Sequence, residues 1–309
     1  MAVSRTVNPL ISIVIPTKNS SIWLDTLLPA FAQQDLADFE VIMVDSGSKD
    51  GTEKKALDYG ARFYKIPRFG HGLTRNYGAS LAKGSIIVFN NHDAIPLGKG
   101  WLRTLVAPLS RRDIVASYAR SIPRTDTHAA ERFFLLTTYP PKSRMFSKSD
   151  LNKLDTRRDI VFSTVSGAIK KEIWATFKFN EQAVIGEDHE LGLRLLKAGL
   201  KIAYKSEACV LHSHNFTAWD AFRRFNDFGR NDRVMGERRN IQNEDLMYLL
   251  LLAKDTALYA GEHEGVKGVL YSLVYVCAKA SGYSVGSYSN YLPTSLRNLF
   301  SYTAFVTSR

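Results

Sequence analysis

Cysteine is almost absent. The chain has 309 residues and 2 cysteines, Cys209 and Cys277, far apart and in apolar surroundings. They form no C-x-x-C and no spaced framework, so the sequence implies buried thiols in a reducing compartment. Long apolar runs are missing as well: none reaches the roughly 18 residues of a spanning helix. Met1 to Pro9 carries no apolar core of the kind a signal peptide needs, so none is expected. There is no internal repeat and no low-complexity tract. No G-x-G-x-x-G and no G-x-x-x-x-G-K follows the first expected strand, which argues against a dinucleotide dehydrogenase and a P-loop enzyme. Acid is in deficit: 30 Asp and Glu stand against 41 Lys and Arg, a formal charge of +11. That excess suits nucleic acid, an anionic membrane surface or an anionic small substrate. The basic residues are spread along the chain without a recognisable reading motif, so nucleic acid is not expected as a partner.

What is present is ordinary for a globular protein, with 45% hydrophobic and 23% charged residues. The length suits one large domain or one domain with an appendage. Ile11 to Ile15 reads as a buried strand, ended by Pro16. Ser20 or Ser21 is placed to cap a helix from Ile22 to about Gln34. Phe39 to Val44 is the next strand and runs into a polar loop, Asp45 to Thr52. Arg62 to Ile66 gives a third strand, His71 to Ala82 a helix, and Ile86 to Phe89 a fourth strand. Strands alternating with helices at this spacing predict βαβ units and a parallel sheet. Such sheets bind ligands at the carboxyl ends of their strands. The polar loops Pro16-Thr17-Lys18-Asn19, Asp45 to Thr52 and Asn90-Asn91-His92-Asp93 all fall at that edge. There Asp45 could accept a base N–H. Asp93 could hold a divalent cation, and Arg75 could meet a diphosphate.

A second concentration of chemistry lies at Glu187-Asp188-His189-Glu190, just before an apolar-periodic run that Gly199 ends. The acids are expected in a first helical turn, where the helix dipole favours their ionised form. Helical spacing puts Glu187 and Glu190 close together and turns Asp188 about 100° away, toward a different partner. Between these regions Trp101 to Leu109 reads as a helix and Ile114 to Tyr118 as a strand. Pro123 to Asp159 reads as a polar, basic loop, and Ile202 to Tyr204 and Ala208 to Leu211 as two short strands. Beyond Asn215 three helices are expected: Phe216 to Gly236 with Arg223, Arg224, Arg230 and Arg233, then Asp245 to Ala260 and Val266 to Ala280.

Four motifs in this order, Ile13-Val14-Ile15-Pro16-Thr17, Val44-Asp45-Ser46-Gly47-Ser48-Lys49-Asp50-Gly51-Thr52, Thr74-Arg75-Asn76-Tyr77-Gly78-Ala79 and Glu187-Asp188-His189-Glu190, resemble family 2 inverting glycosyltransferases with the GT-A fold. Phe69 to Asn76 and Leu211 to Asn215 look most like the bacterial members that use dTDP-L-rhamnose. The resemblance implies an α/β fold, a Rossmann-like nucleotide-diphospho-sugar transferase with a mostly parallel sheet and flanking helices. It runs over residues 1–215, with a nucleotide-binding half at about 10–95 and an acceptor half at about 96–215. Residues 216–309 would be a helical appendage. Pro16, Thr17, Asn19, Asp45, Ser46 and Asp50 would line the base and ribose pocket, with Arg75, Asn76, Asn91 and His92 near the base or diphosphate. The family's D-x-D motif falls on Asn91-His92-Asp93, where a neutral amide replaces the first carboxylate. Asp93 with His212 and His214 would hold Mg²⁺ or Mn²⁺. Asp188 matches the general base, with Ser166, Gly167, Glu187 and Glu190 on the sugar and acceptor side.

The implied reaction moves L-rhamnose from dTDP-L-rhamnose to a cell-surface polysaccharide or lipid-linked glycan. It would take place in the cytoplasm, at the inner face of the cell membrane when the basic helices meet anionic lipid. Those helices would otherwise join a second copy of the chain. The alternatives are the same chemistry with a UDP-sugar donor (galactofuranose, galactose or N-acetylglucosamine) and a non-catalytic nucleotide-sugar binding module.

Overall fold

The computed structural model describes residues 10–154, 159–234 and 243–303. Met1 to Pro9, read above as lacking a signal sequence, lies outside them. The chain divides into two compact units. One comprises Met1–Ile122, Thr138–Gln182 and Glu187–His212, and the other Pro123–Thr137, Ala183–Gly186 and Ser213–Arg309.

In chain order the elements are β1 (Ile11–Thr17), α1 (Ser21–Ala32), β2 (Phe39–Asp45), α2 (Thr52–Tyr59), β3 (Arg62–Lys65), α3 (His71–Ser80), β4 (Ile86–Asn90), β5 (Ile95–Pro96), α4 (Trp101–Val106) and β6 (Ile114–Ile122). Then follow α5 (Ala129–Thr138), β7 (Arg144–Phe146), β8 (Ser166–Lys170), α6 (Lys171–Thr176), α7 (Glu187–Lys197), β9 (Lys201–Leu211), α8 (Ala218–Val234), α9 (Asn243–Ser287) and α10 (Thr294–Leu299).

The first unit is built on one mixed sheet in the order β3-β2-β1-β4-β8-β6-β9-β5, with β7 paired to β9. Its first four strands are parallel, as the βαβ pattern predicts. The register sets Thr17 opposite Asp45, so the loops after β1 and β2 leave the sheet side by side. β8 then runs antiparallel to β4, with Asn90 opposite Ser166, and so brings the segment that enters β8 to the same edge. The apolar runs fill one core: Ile11, Ile13, Ile15, Leu27, Phe31, Met43, Val88 and Trp101 are all buried within it. Each such side chain contributes roughly 1.5–3 kcal/mol. α3 lies close against β1 and β2 because Gly78 has no Cβ; one there would collide with Val14 and Val44.

Two sequence readings change here. The short strands expected at Ile202–Tyr204 and Ala208–Leu211 are one strand, β9. Its pairing with β6 slips between Ala119–Lys205 and Arg120–Cys209, and that irregularity breaks the apolar alternation. The Pro123–Asp159 stretch is not a continuous loop, since it contains α5 and β7.

In the second unit α8 packs along α9. A Cβ at Gly229, Gly282 or Gly286 would collide with the facing backbone, so these glycines set a close helix–helix approach. The two helices expected at Asp245–Ala260 and Val266–Ala280 are both present within α9, broken at Gly265, whose φ of 66° and ψ of -155° are not helical. α5 is tied to α9 by Glu131, which accepts hydrogen bonds from Tyr275 Oη at 2.7 Å and Lys279 Nζ at 3.0 Å. Burial acts to raise the Glu131 pKa, but the Lys279 charge and the Tyr275 hydroxyl hold it below its ordinary value. Of the arginines on α8, Arg223 pairs with Asp220 at 2.6 Å, and Arg224 lies over the rings of Phe216 and Phe228. Among the described residues no helix is long and apolar enough to cross a membrane.

Candidate active site

The loops after β1 and β2 are held together by their own polar groups. Asp45, 1% exposed, accepts the backbone N–H of Gly47 at 2.9 Å and of Ser48 at 2.8 Å on Oδ2. Its Oδ1 accepts the hydroxyls of Thr17 at 3.1 Å and of Ser48. Ser46 N–H donates to Thr17 O at 3.0 Å. Asn19, at φ +48°, receives the Lys49 N–H on Oδ1 and gives its own N–H to Ser48 Oγ. Asp50 caps two helices, accepting Ser21 N–H at 2.9 Å for α1 and Thr52 N–H at 3.2 Å for α2. Burial pushes the Asp50 pKa up, yet the Thr52 hydroxyl and the Ser21 and Thr52 N–H groups outweigh it and hold the carboxyl below its usual range. The cap that sequence assigned to Ser20 or Ser21 thus comes from Asp50, a loop away; Ser20 makes no side-chain cap bond.

At the end of β4, Asn90 turns the chain by donating Nδ2 to the carbonyls of Asn91 and Ala94, both at 2.8 Å. This presents Asn91-His92-Asp93 beyond the strand. His92 Nδ1 lies 3.3 Å from Pro16 O. Asp93 is buried and stands 3.6 Å from His212 Nε2. His214 follows His212 two residues along the chain, where the second unit begins. Both histidines follow the last residue of β9, Leu211, so their spacing belongs to the chain leaving the strand and not to the strand itself. One carboxylate with two imidazoles fits a borderline divalent cation such as Mn²⁺ better than the all-oxygen shell Mg²⁺ prefers.

Arg75 links this turn to the start of α7. Its Nη1 donates to Glu187 Oε1 and its Nη2 to Asn91 Oδ1, each at 2.9 Å. The side chains of the ion pair are 6% and 4% exposed. The amide that stands in place of a carboxylate at Asn91 is therefore engaged by a guanidinium. Asn76, one residue on, is spent on packing: Nδ2 donates to Phe179 O and Glu181 Oε1, and Oδ1 accepts from Trp174 Nε1 and Phe179 N–H.

α7 begins at Glu187 as the acidic pattern predicts, and its acids take different partners. Glu187 faces Arg75, and Glu190 accepts Arg194 Nε at 2.6 Å and Nη2 at 3.0 Å one turn on. Asp188, half-buried, points the other way, to Thr164. Ser166 accepts Trp101 Nε1 at 3.1 Å, and a Cβ on Gly167 would strike Ser163 O, so both residues serve packing where β8 meets its neighbours. Two contacts had no signal in the sequence. The Arg75–Glu187 pair joins positions 112 residues apart, and Thr164 sits in a stretch without periodicity.

The mixed sheet with parallel N-terminal strands and flanking helices is the architecture of GT-A glycosyltransferases. The chain belongs to glycosyl transferase family 2, whose model matches residues 12–173. It is 32% identical to the O-antigen chain rhamnosyltransferase RfbN of Salmonella typhimurium, over 71% of this chain and 71% of that one. It is 29% identical to the O-antigen chain rhamnosyltransferase WbaN of Salmonella anatum, over 72% of this chain and 71% of that one. Among solved structures, the mannosyltransferase PcManGT from Pyrobaculum calidifontis, in complex with GDP-Man and Mn²⁺, shares the fold. The TM-score is 0.56 at 16% identity, over 98% of this chain and 87% of that one. The protein is a glycosyltransferase.

Proposed function

We propose that the chain transfers L-rhamnose from dTDP-L-rhamnose to a cell-surface polysaccharide or lipid-linked glycan, with inversion at the anomeric carbon and Asp188 as general base. The carrying observation is Asp188 itself. It stands in the first turn of α7, next to Glu187, and Arg75 ties Glu187 to the turn that carries Asp93. The rhamnosyltransferase names of two relatives support the donor.

An acceptor hydroxyl is a weak acid, so its proton must pass to a positioned base as the new bond forms. Asp188 takes that proton. The anomeric carbon goes through an oxocarbenium-like state, which a nearby carboxylate tolerates. The loops carrying Pro16, Thr17, Asn19, Asp45, Ser46 and Asp50 seat the base and ribose. Asp93, His212 and His214 would hold Mn²⁺ or Mg²⁺, which supplies positive charge to the departing diphosphate when bound. A single base on the acceptor side gives one displacement, hence inversion. The donor test is direct. Transfer is assayed with dTDP-L-rhamnose and with UDP-galactose, UDP-galactofuranose and UDP-N-acetylglucosamine, and the product anomer is read by NMR. Turnover with a UDP-sugar and none with dTDP-L-rhamnose would replace the donor; a retained anomer would replace the mechanism.

The metal set makes a separate prediction. Asp93→Ala removes the only carboxylate of the cluster and is expected to lower the rate by about 100-fold, or about 2.7 kcal/mol. EDTA should do the same to the native protein, and Mn²⁺ should restore only the native one. Undiminished activity in EDTA would take the metal out of the scheme.

A further inference from the structure

We propose that Thr164 is a positioning residue for the sugar transfer: it fixes the Asp188 carboxylate and, through its neighbour, sets the distance between base and donor turn. This rests on the reading of Asp188 as the base. Thr164 is 2% exposed and precedes β8. Its backbone N–H donates to Asp188 Oδ2 at 2.8 Å and its hydroxyl donates to the same oxygen at 3.1 Å. Both bonds fall on one oxygen. The other, Oδ1, accepts the His189 N–H at 2.8 Å and keeps lone-pair capacity for an incoming hydroxyl. A carboxylate held at one oxygen by two donors cannot rotate freely about its terminal bond, which is otherwise a soft torsion. The next residue, Val165, accepts the Asn91 N–H on its carbonyl at 2.9 Å. Two consecutive residues therefore grip both halves of the site, Thr164 the base and Val165 the turn bearing Asp93. β8 anchors that grip, since Ser166 pairs with Asn90 in the sheet. Reaction geometry is sensitive to displacements of about 1 Å, so such a strap bears on rate more than on binding.

The experiment compares Thr164→Val and Thr164→Ser with the native protein. Valine keeps the shape and the backbone N–H and deletes the hydroxyl; serine keeps the hydroxyl. Thr164→Val is expected to lower kcat about tenfold with donor KM within about twofold, and Thr164→Ser to stay within about threefold of native kcat. A purely structural role would move the melting temperature and both kinetic constants together, and serine would not rescue. Native kcat in Thr164→Val, or a serine variant as slow as valine, overturns the proposal. Placing Thr164→Val in the Asp188→Asn background separates this failure from failure of the base assignment. With both correct, the double variant is no slower than Asp188→Asn alone. If Asp188→Asn turns over normally, the base reading falls first. If it is dead while Thr164→Val is native, only the role of Thr164 falls.

Discussion

Asp188→Asn should abolish sugar transfer to within the background, a loss of about 10³-fold, while donor affinity stays within a few fold. The magnitude follows from the role: a positioned general base contributes about 10²–10⁴ to rate. The substitution is nearly isosteric, and an amide oxygen can still accept the two Thr164 bonds that hold the native carboxylate. The amide nitrogen then replaces the oxygen that took the His189 N–H, so one first-turn hydrogen bond is lost along with proton acceptance, while the fold and the donor seat should survive. Glu187, one residue earlier, cannot take over because its Oε1 is committed to Arg75 in a buried pair. Nor can Glu190, which is held by Arg194. Rates with donor and acceptor, set beside calorimetric donor binding, distinguish the outcomes. Near-normal turnover removes Asp188 from the reaction. Lost donor binding together with lost turnover makes it a structural residue.

How much of this was visible in the sequence differs by element. The four parallel strands were legible because each is a continuous apolar run bounded by turn residues. The loops at their ends were legible as polar interruptions. Asp45 and Asp50, at the end of β2 and in the loop after it, stand out in the sequence as pocket residues, and in the structure their carboxylates also accept N–H groups around that loop and the adjoining helices. Sequence cannot tell a carboxylate that organises a loop from one that meets a ligand, because both want a strand end. The acidic start of α7 was legible for a helical reason, and the divergence of Asp188 from Glu187 followed from the turn angle. What lay hidden depends on distant partners. Arg75 reads as a diphosphate contact from its place on the helix after Gly70-His71-Gly72; its partners in the structure, Asn91 and Glu187, become neighbours only when β4 and α7 are in place. The basic helix carrying Arg223, Arg224, Arg230 and Arg233 suits either a packed appendage or a lipid contact, and the structure supplies Asp220 and aromatic rings for Arg223 and Arg224. Thr164 had no pattern to reveal it at all.

Arg75→Met is expected to be the most destabilising single change at the site, costing roughly 3–5 kcal/mol. The cost is not the worth of the ion pair. A buried pair formed from two solvated ions gains little net, since desolvation offsets the attraction. The penalty comes from what is left behind: Glu187, 4% exposed on its side chain, would keep a negative charge with its cation gone, and Asn91 Oδ1 would lose its donor. It follows that Arg75→Met with Glu187→Gln should be more stable than Arg75→Met alone, although it carries one more change. Arg75→Lys should fall between, because an ammonium keeps the charge but cannot fork to Glu187 and Asn91 together. Urea unfolding with unchanged slope gives the three free energies. Activity supplies a second reading, since the same guanidinium holds the helix of Asp188 to the turn of Asp93. The double variant should regain stability and remain slow. A single variant within about 0.5 kcal/mol of native would show the pair to be incidental, and a double variant that recovers both stability and rate would show that the site needs no bridge between its halves.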